Sequence, residues 1–159
     1  MSSALIIKIK SKEVKAMVQG GFEFAAEAEA ALKAFGSRKL KWAVLRIPEG
    51  RDAGCELVAS GESSGEGEEP SEADFAAFKA QLPADQPRWG VYDLNFMKNG
   101  VNSTKVCFVQ YVPDDCTKNN LKFAYANHKE VVKSKLQVNK ELQINDIDDV
   151  TRAKFIDEF

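Results

Sequence analysis

Two groups of carboxylates are the first places in this chain where acid–base or metal chemistry could reside. They are Asp114-Asp115 and the trio Asp146, Asp148 and Asp149. Paired carboxyls held at different protonation states can serve as acid and base. Here each group adjoins a turn or a predicted helix start, where aspartate is favoured for capping and for the helix dipole, so a structural use accounts for both. His128 is the single histidine, too few for a histidine-rich metal centre, and it offers little support for a Ser-His-Asp triad. It is expected at the first helical position and exposed. The cysteines, Cys55, Cys107 and Cys116, are odd in number and lack C-x-x-C spacing. This pattern suits reduced thiols better than a disulfide frame or zinc site. Cys107 falls mid-strand and is expected in the core; Cys116 could reach solvent, but nothing near it would activate a thiol. The segment 61–70, Gly-Glu-Ser-Ser-Gly-Glu-Gly-Glu-Glu-Pro, has no GK[ST] and the wrong charge for a phosphate loop. No enzyme, cofactor or metal is expected.

What the sequence offers instead is a surface for recognition. Residues 121–146 read as a short apolar strand running directly into a lysine-rich helix. Asn127 with Glu130 three residues on is an N-cap signature and sets the predicted helix start. Val131, Val132, Leu136, Val138 and Leu142 would gather on one side, with Lys129, Lys133 and Lys140 mostly on the other. A net charge of −2 conceals a segregation. Residues 52–78 carry eight acids and no Lys or Arg, whereas residues 98–140 carry eight lysines against three acids. Such asymmetry suits a directional, acidic partner. Overall acidity counts against a dedicated nucleic-acid binder.

The remaining elements must hold that surface. At 159 residues the chain can form one domain with a substantial core. No apolar run is long enough to span a membrane, and the opening Ala4–Lys10 stretch is too interrupted for a signal peptide. It reads as an extra strand. Residues 11–19 are ambiguous, with one or two helical turns expected, and Gly20-Gly21 is a break. Phe24, Ala28, Ala31, Leu32 and Phe35 follow helical spacing, with Gly36 as the C′ residue. Residues 41–47 form a strand buried on both faces, and 56–60 can pair with it. Residues 61–70 are too acidic and glycine-rich to bury, so a solvated loop is expected. Ser71 can cap a helix carrying Phe75, Phe78 and Leu82, ended by Pro83. Residues 88–96 and 105–112 are strands joined by a hairpin containing Asn99-Gly100, in a connection longer than a two-residue turn. A last helix runs from about 147 to 159. Hairpins mixed with helical crossovers imply an α/β (α+β type) fold, a central mixed β-sheet flanked by helices on both faces.

Several of these segments together resemble the actin-depolymerising factor/cofilin family. Arg88-Trp89-Gly90-Val91-Tyr92-Asp93 is similar to its Arg-Tyr/Phe-x-x-Tyr-Asp strand, and Tyr125-Ala126-Asn127-His128-Lys129-Glu130 to its Tyr-Ala-Ser-Ser-Lys-Asp. Glu141-Leu142-Gln143-Ile144-Asn145 is similar to its Glu-Leu-Gln-Ala-Asn, and Lys39-Leu40-Lys41-Trp42 with Arg46-Ile47 to its first strand. The resemblance runs from about Gly20 to the end, implying an actin-depolymerising-factor homology domain at 20–159 with 61–70 as an insertion, preceded by a 1–19 extension of unknown role. It implies a cofilin-like fold and a cytoplasmic, monomeric protein that binds monomeric and filamentous actin and promotes filament disassembly and severing.

Two surfaces follow from the resemblance. The first, for monomer and filament, would comprise Lys122, Phe123, Lys129, Glu130 and Lys133, with Gly21 and Phe22 as looser matches. The second, for the filament, would comprise Lys105, Arg152 and Lys154. The resemblance also implies phosphoinositide binding, so an anionic-lipid module on the same lysine face is one alternative. Three positions depart from the family pattern: Asn120 and Ser103 stand where basic residues are usual, and Gly20-Gly21 replaces the short segment with a regulatory serine. The first two weaken the expectation of severing. They leave as a second alternative a non-severing relative, such as a coactosin-like filament binder or a glia-maturation-factor-like branch regulator.

Overall fold

The structure is a computed structural model that describes residues 17–19, 21–48, 50, 53–62 and 72–159. The strand expected at 4–10, the loop residues 63–70 and the capping role of Ser71 lie outside the described residues. In chain order the elements are β1 (Met17–Gln19), β2 (Phe22–Phe24), α1 (Ala26–Gly36), β3 (Leu40–Arg46), β4 (Gly54–Glu62) and α2 (Glu72–Lys79). They continue with β5 (Arg88–Lys98), β6 (Val101–Tyr111), α3 (Asn119–Lys133), β7 (Lys140–Ile144), a 3-10 turn at Ile147–Asp149 and α4 (Arg152–Asp157). The strands form one sheet in the order β1-β2-β4-β3-β5-β6-β7. β2 runs parallel to β4 and β7 parallel to β6, and the other neighbours are antiparallel. The expected mixed sheet is therefore present.

Alternation along the strands builds two cores. Ala43, Leu45, Trp89, Val91 and Phe108 point to one face, where they meet Ala28, Leu32 and Phe35 of α1 and Ala124, Tyr125 and Val132 of α3. Trp42, Val44, Tyr92, Leu94, Cys107 and Val109 point to the other, against Phe75 and Phe78 of α2 and Phe155 of α4. Strands covered on both faces read as continuous apolar runs, which is why residues 41–47 and 88–96 were legible. Helices thus cover both faces, as expected.

Several boundaries differ from the sequence reading. Residues 121–126 are not a strand. They are helical, and α3 starts eight residues before Asn127, on Lys118 as N-cap. Leu121, Ala124, Tyr125, His128, Val131 and Val132 share one side, a helical spacing that the β-like composition of residues 121–126 obscured. The helix also stops at Lys133, because Lys140–Ile144 alternates and pairs with β6 from Cys107 to Tyr111. Leu142 therefore belongs to a strand and Lys140 is not on the helix. His128 is mid-helix and half-buried, its ring 5.0 Å from that of Phe22. Phe24 sits in β2 rather than α1.

The α1 terminus also differs. Arg38, not Gly36, takes the left-handed conformation (φ 65°). Its amide donates to the Phe35 carbonyl and the Lys39 amide to Ala34, a Schellman closure. Arg38 reaches Asp93 at 3.2 Å from there. The β5–β6 connection is a tight two-residue turn, since Lys98 pairs with Val101 and both Asn99 (φ 54°) and Gly100 (φ 78°) have positive φ. That is the type I′ geometry favoured by Asn-Gly. The polar residues 102–104 concealed the strand's beginning. The last helical stretch is broken: Asp146 caps the 3-10 turn by accepting from the Asp148 amide at 2.9 Å, and Thr151 caps α4. Cys116 is buried, contrary to the expected exposure.

Candidate binding surfaces

The amphipathic pattern of α3 leaves one stripe outward. Asn119, Asn120, Phe123, Ala126, Asn127 and Glu130 are exposed at helical spacing. Phe123 is 68% exposed, an unusual state for a side chain of that size. The opposite side of the helix is fixed twice. Ala124, Tyr125 and Val132 enter the core, and the Ile47 amide donates to the Tyr125 hydroxyl at 2.8 Å. Burial pushes the Tyr125 phenol up to about 12, so at neutral pH it remains protonated. The helix is therefore pinned to the end of β3 while Phe123 stands free of the core.

Lys122, Lys129 and Lys133 follow at i, i+7 and i+11 along one flank. Lys122 is half-buried, adjoins Phe123 and makes no ion pair among the described residues. The other two are engaged within the protein. Lys129 and Lys133 both donate to the Glu141 carboxylate of β7, at 2.6 and 2.8 Å, and Lys133 lies 3.5 Å from Glu130. Burial would push the Glu141 carboxyl up, but the two lysines outweigh it and hold it below the usual range. The bond to Glu141 raises Lys133 in turn. Glu141 was read only as part of a family motif; the strand assignment missing from that reading is what brings it under the helix.

The looser matches are placed less favourably. Gly21 is exposed with φ 81° at the β1–β2 turn, but Phe22 is completely buried, so its side chain presents no surface. It packs on Phe24, Trp89 and His128. Its contribution is to support the sheet edge beneath α3.

The second group lies across the sheet. Lys105 faces Leu94 in the β5–β6 register and so projects on the α2/α4 side. Arg152 is largely covered: it donates to the Asn95 carbonyl of β5 and lies 3.7 Å from Glu72. It ties α4 to the hairpin more than it presents a charge. Lys154 is exposed and paired with Asp149, which raises its ammonium. The hairpin tip leaves Met97 and Val101 65% and 60% exposed, two apolar residues that the sequence reading did not single out.

No cluster of three or more His, Cys, Asp or Glu side chains suited to a metal occurs among the described residues. No helix among them is long and apolar enough to cross a membrane. Cys107 is buried and its thiol pushed up to about 12, and Cys55 is pushed higher still by burial.

Comparison with known proteins gives a consistent picture. Residues 21–159 match the family described as cofilin/tropomyosin-type actin-binding protein. Cofilin of Cryptococcus neoformans var. neoformans is 35% identical over 82 residues, covering 50% of this chain and 59% of that protein. The chain thus spans little more than half the length of the curated relatives it matches. The structure of Streptomyces griseoflavus cofilin aligns with TM-score 0.64 at 28% identity, over 83% of this chain and 89% of that one. Plasmodium berghei actin depolymerization factor 2 aligns with TM-score 0.71 at 18% identity, over 89% and 97%, a likeness of fold alone.

Proposed function

Because the chain belongs to the cofilin/tropomyosin-type actin-binding family, we propose that it binds actin monomers and filaments through the outward side of α3 and promotes filament turnover. The exposed Phe123 beside Lys122 carries this reading. An aromatic side chain held away from its own core by a pinned helix needs no backbone ordering before a partner's apolar cleft covers it. Lysines around it steer the approach to an acidic protein, contributing to on-rate more than to affinity. The same geometry resembles helix-in-groove recognition, in which the docking face is read at i, i+3, i+4 and i+7.

Lys129, Glu130 and Lys133 enter this reading as a rim. Since Glu141 already neutralises both lysines in part, each contributes little alone, in line with roughly 0.2–1 kcal/mol for exposed pairs. Gly21 shapes the adjacent turn. Lys105, Arg152 and Lys154 with the hairpin tip form the proposed filament-specific surface, on the far side of the sheet. Asn120 and Ser103, uncharged on the two surfaces, favour weak severing and keep the non-severing alternative in play. Anionic lipid is the competing ligand for the Lys122 and Lys133 flank.

The test is a filament pelleting assay with a monomer-affinity titration, on the wild type and on Phe123→Ala. Truncation of a central anchor should weaken binding by roughly 2 kcal/mol, about thirtyfold. Absence of binding to either actin form overturns the proposal. Time-lapse imaging of labelled filaments then separates severing from decoration.

A further inference from the structure

The lysines that make residues 129–140 basic in the sequence each meet a glutamate in the fold. Lys129 and Lys133 share Glu141 of β7 at 2.6 and 2.8 Å, and Lys133 also lies 3.5 Å from Glu130. Lys135 lies 3.3 Å from Glu29 of α1, and Lys140 lies 3.7 Å from Glu158, the C-cap of α4. Four lysines are thus balanced by four glutamates, three of them from outside α3. The stretch that reads as basic in the sequence is locally neutral once folded. Lys122, beside Phe123, is in no ion pair among the described residues.

Glu141 is the member of this set that acts on the outward surface. Glu130 is exposed and Glu158 about half exposed, so water screens both of their pairs. Glu29 is as well covered as Glu141, but Lys135 also lies over the Phe24 ring, 4.8 Å from its centroid, so that pair belongs to the packing of α1. Glu141 instead sits beneath the α3 flank, and its one carboxylate holds two ammonium groups, one on each oxygen. An ammonium has three N–H donors. Lys129 and Lys133 therefore keep donors for a partner, in fixed directions, while Glu130 and Glu141 cancel their charge.

We propose that Glu141 is a specificity-determining residue of the α3 surface: it holds Lys129 and Lys133 together at no net charge, so that the flank rejects diffuse polyanions and accepts a folded acidic partner whose carboxylates meet the ammonium groups at fixed positions. This inference rests on the actin-binding reading of α3 and adds its selectivity. A flexible polyanion is drawn by net charge, and a neutral flank offers it little. A folded partner is drawn by a complementary pattern of charges, carboxylate against ammonium and cation against Glu130. Specificity is a difference of two affinities, and an internal carboxylate lowers the affinity for polyanions more than the other. The uncompensated Lys122 adjoins Phe123, whose apolar surface is matched by a shaped cleft and not by a string of charges.

The test compares the full chain with Glu141→Gln and with Glu141→Gln combined with Lys133→Gln, which restores the balance of charge. Each is titrated with labelled polyglutamate, followed by fluorescence anisotropy, and with actin monomers. Polyglutamate reads charge without the apolar contact that Phe123 would make in a bilayer. Glu141→Gln should bind polyglutamate about two- to fivefold more tightly at low salt, the range set by one exposed charge. The gain should vanish at high salt and in the double variant, whereas a chain merely loosened by the first substitution would not be corrected by the second. Actin affinity should change by less, so the ratio of the two affinities falls. Unchanged polyglutamate affinity in Glu141→Gln, a gain that survives high salt or the second substitution, or an equal gain for actin overturns the proposal. Failure of the wild type to bind either actin form defeats the actin reading instead, and the polyglutamate titrations alone then decide the role of Glu141.

Discussion

Replacing Glu141 with glutamine separates the charge of the α3–β7 clasp from its shape. The wild-type carboxylate accepts from Lys129 and Lys133 at 2.6 and 2.8 Å, with the three side chains 28%, 24% and 21% exposed in the order Lys129, Lys133, Glu141. A hydrogen bond to a charged group is worth roughly 1.5–3 kcal/mol when well buried. Here all three side chains keep part of their surface in water, so screening reduces each bond toward the surface-pair range of roughly 0.2–1 kcal/mol. The glutamine retains one acceptor oxygen. A net loss of about 1 kcal/mol results, which lowers the thermal midpoint of a chain this size by about 2–4 °C. The loss depends on pH in a defined direction. The folded-state Glu141 carboxyl is held below its unfolded value, so its stabilisation is complete above the unfolded value and disappears as pH falls through the folded one. Thermal melts of both proteins should therefore differ at neutral pH and converge in acid, with the gap at neutral pH narrowing in high salt. A gap that is absent at neutral pH, or the same at every pH, refutes the clasp as a charged interaction.

Gly90→Ala should cost roughly 1–3 kcal/mol, measured by denaturant unfolding, because an added Cβ would stand 2.8 Å from the Phe78 ring. Trp89→Phe strands the Gln110 amide oxygen that now accepts from the indole at 2.8 Å, at a cost of roughly 1–3 kcal/mol in the same assay. Alkylation of Cys107 and Cys55 at neutral pH should be slow and track global unfolding, since both thiols are buried and pushed up. Asn120→Lys should raise the actin association rate at low salt, measured by stopped flow, with the gain fading as salt is added.

The sheet was legible wherever both of its faces are covered, because burial on two sides leaves an apolar run that composition alone reveals. The Asn99-Gly100 turn was visible but its tightness was not, since residues 102–104 carry the pairing forward with polar side chains. The head of α3 was misread for the opposite reason. Phe123 and its neighbours look like strand residues because one apolar side chain points outward, and this outward residue is the one the proposed function uses. Local propensity failed where a large apolar side chain of the helix is not used in packing. Lys129 and Lys133 were visible as a basic stripe, but their pairing with Glu141 depends on a strand returning beneath the helix, a tertiary fact that helical periodicity cannot supply. Cys116 and Phe22 were misjudged in the same way, as sequence gives no measure of what folds over a residue from elsewhere.

The division of the core by the sheet has a consequence for how such a protein can change. The clusters beneath α3 and α4 draw on alternate residues of the same strands and have no side chain in common among the described residues. Substitutions on opposite sides should therefore be close to additive in stability. A lineage could then alter the hairpin and α4, gaining or losing one partner contact, while the geometry under Phe123 stays intact. The same architecture that gives the domain rigidity leaves its two exteriors free to diverge at separate rates.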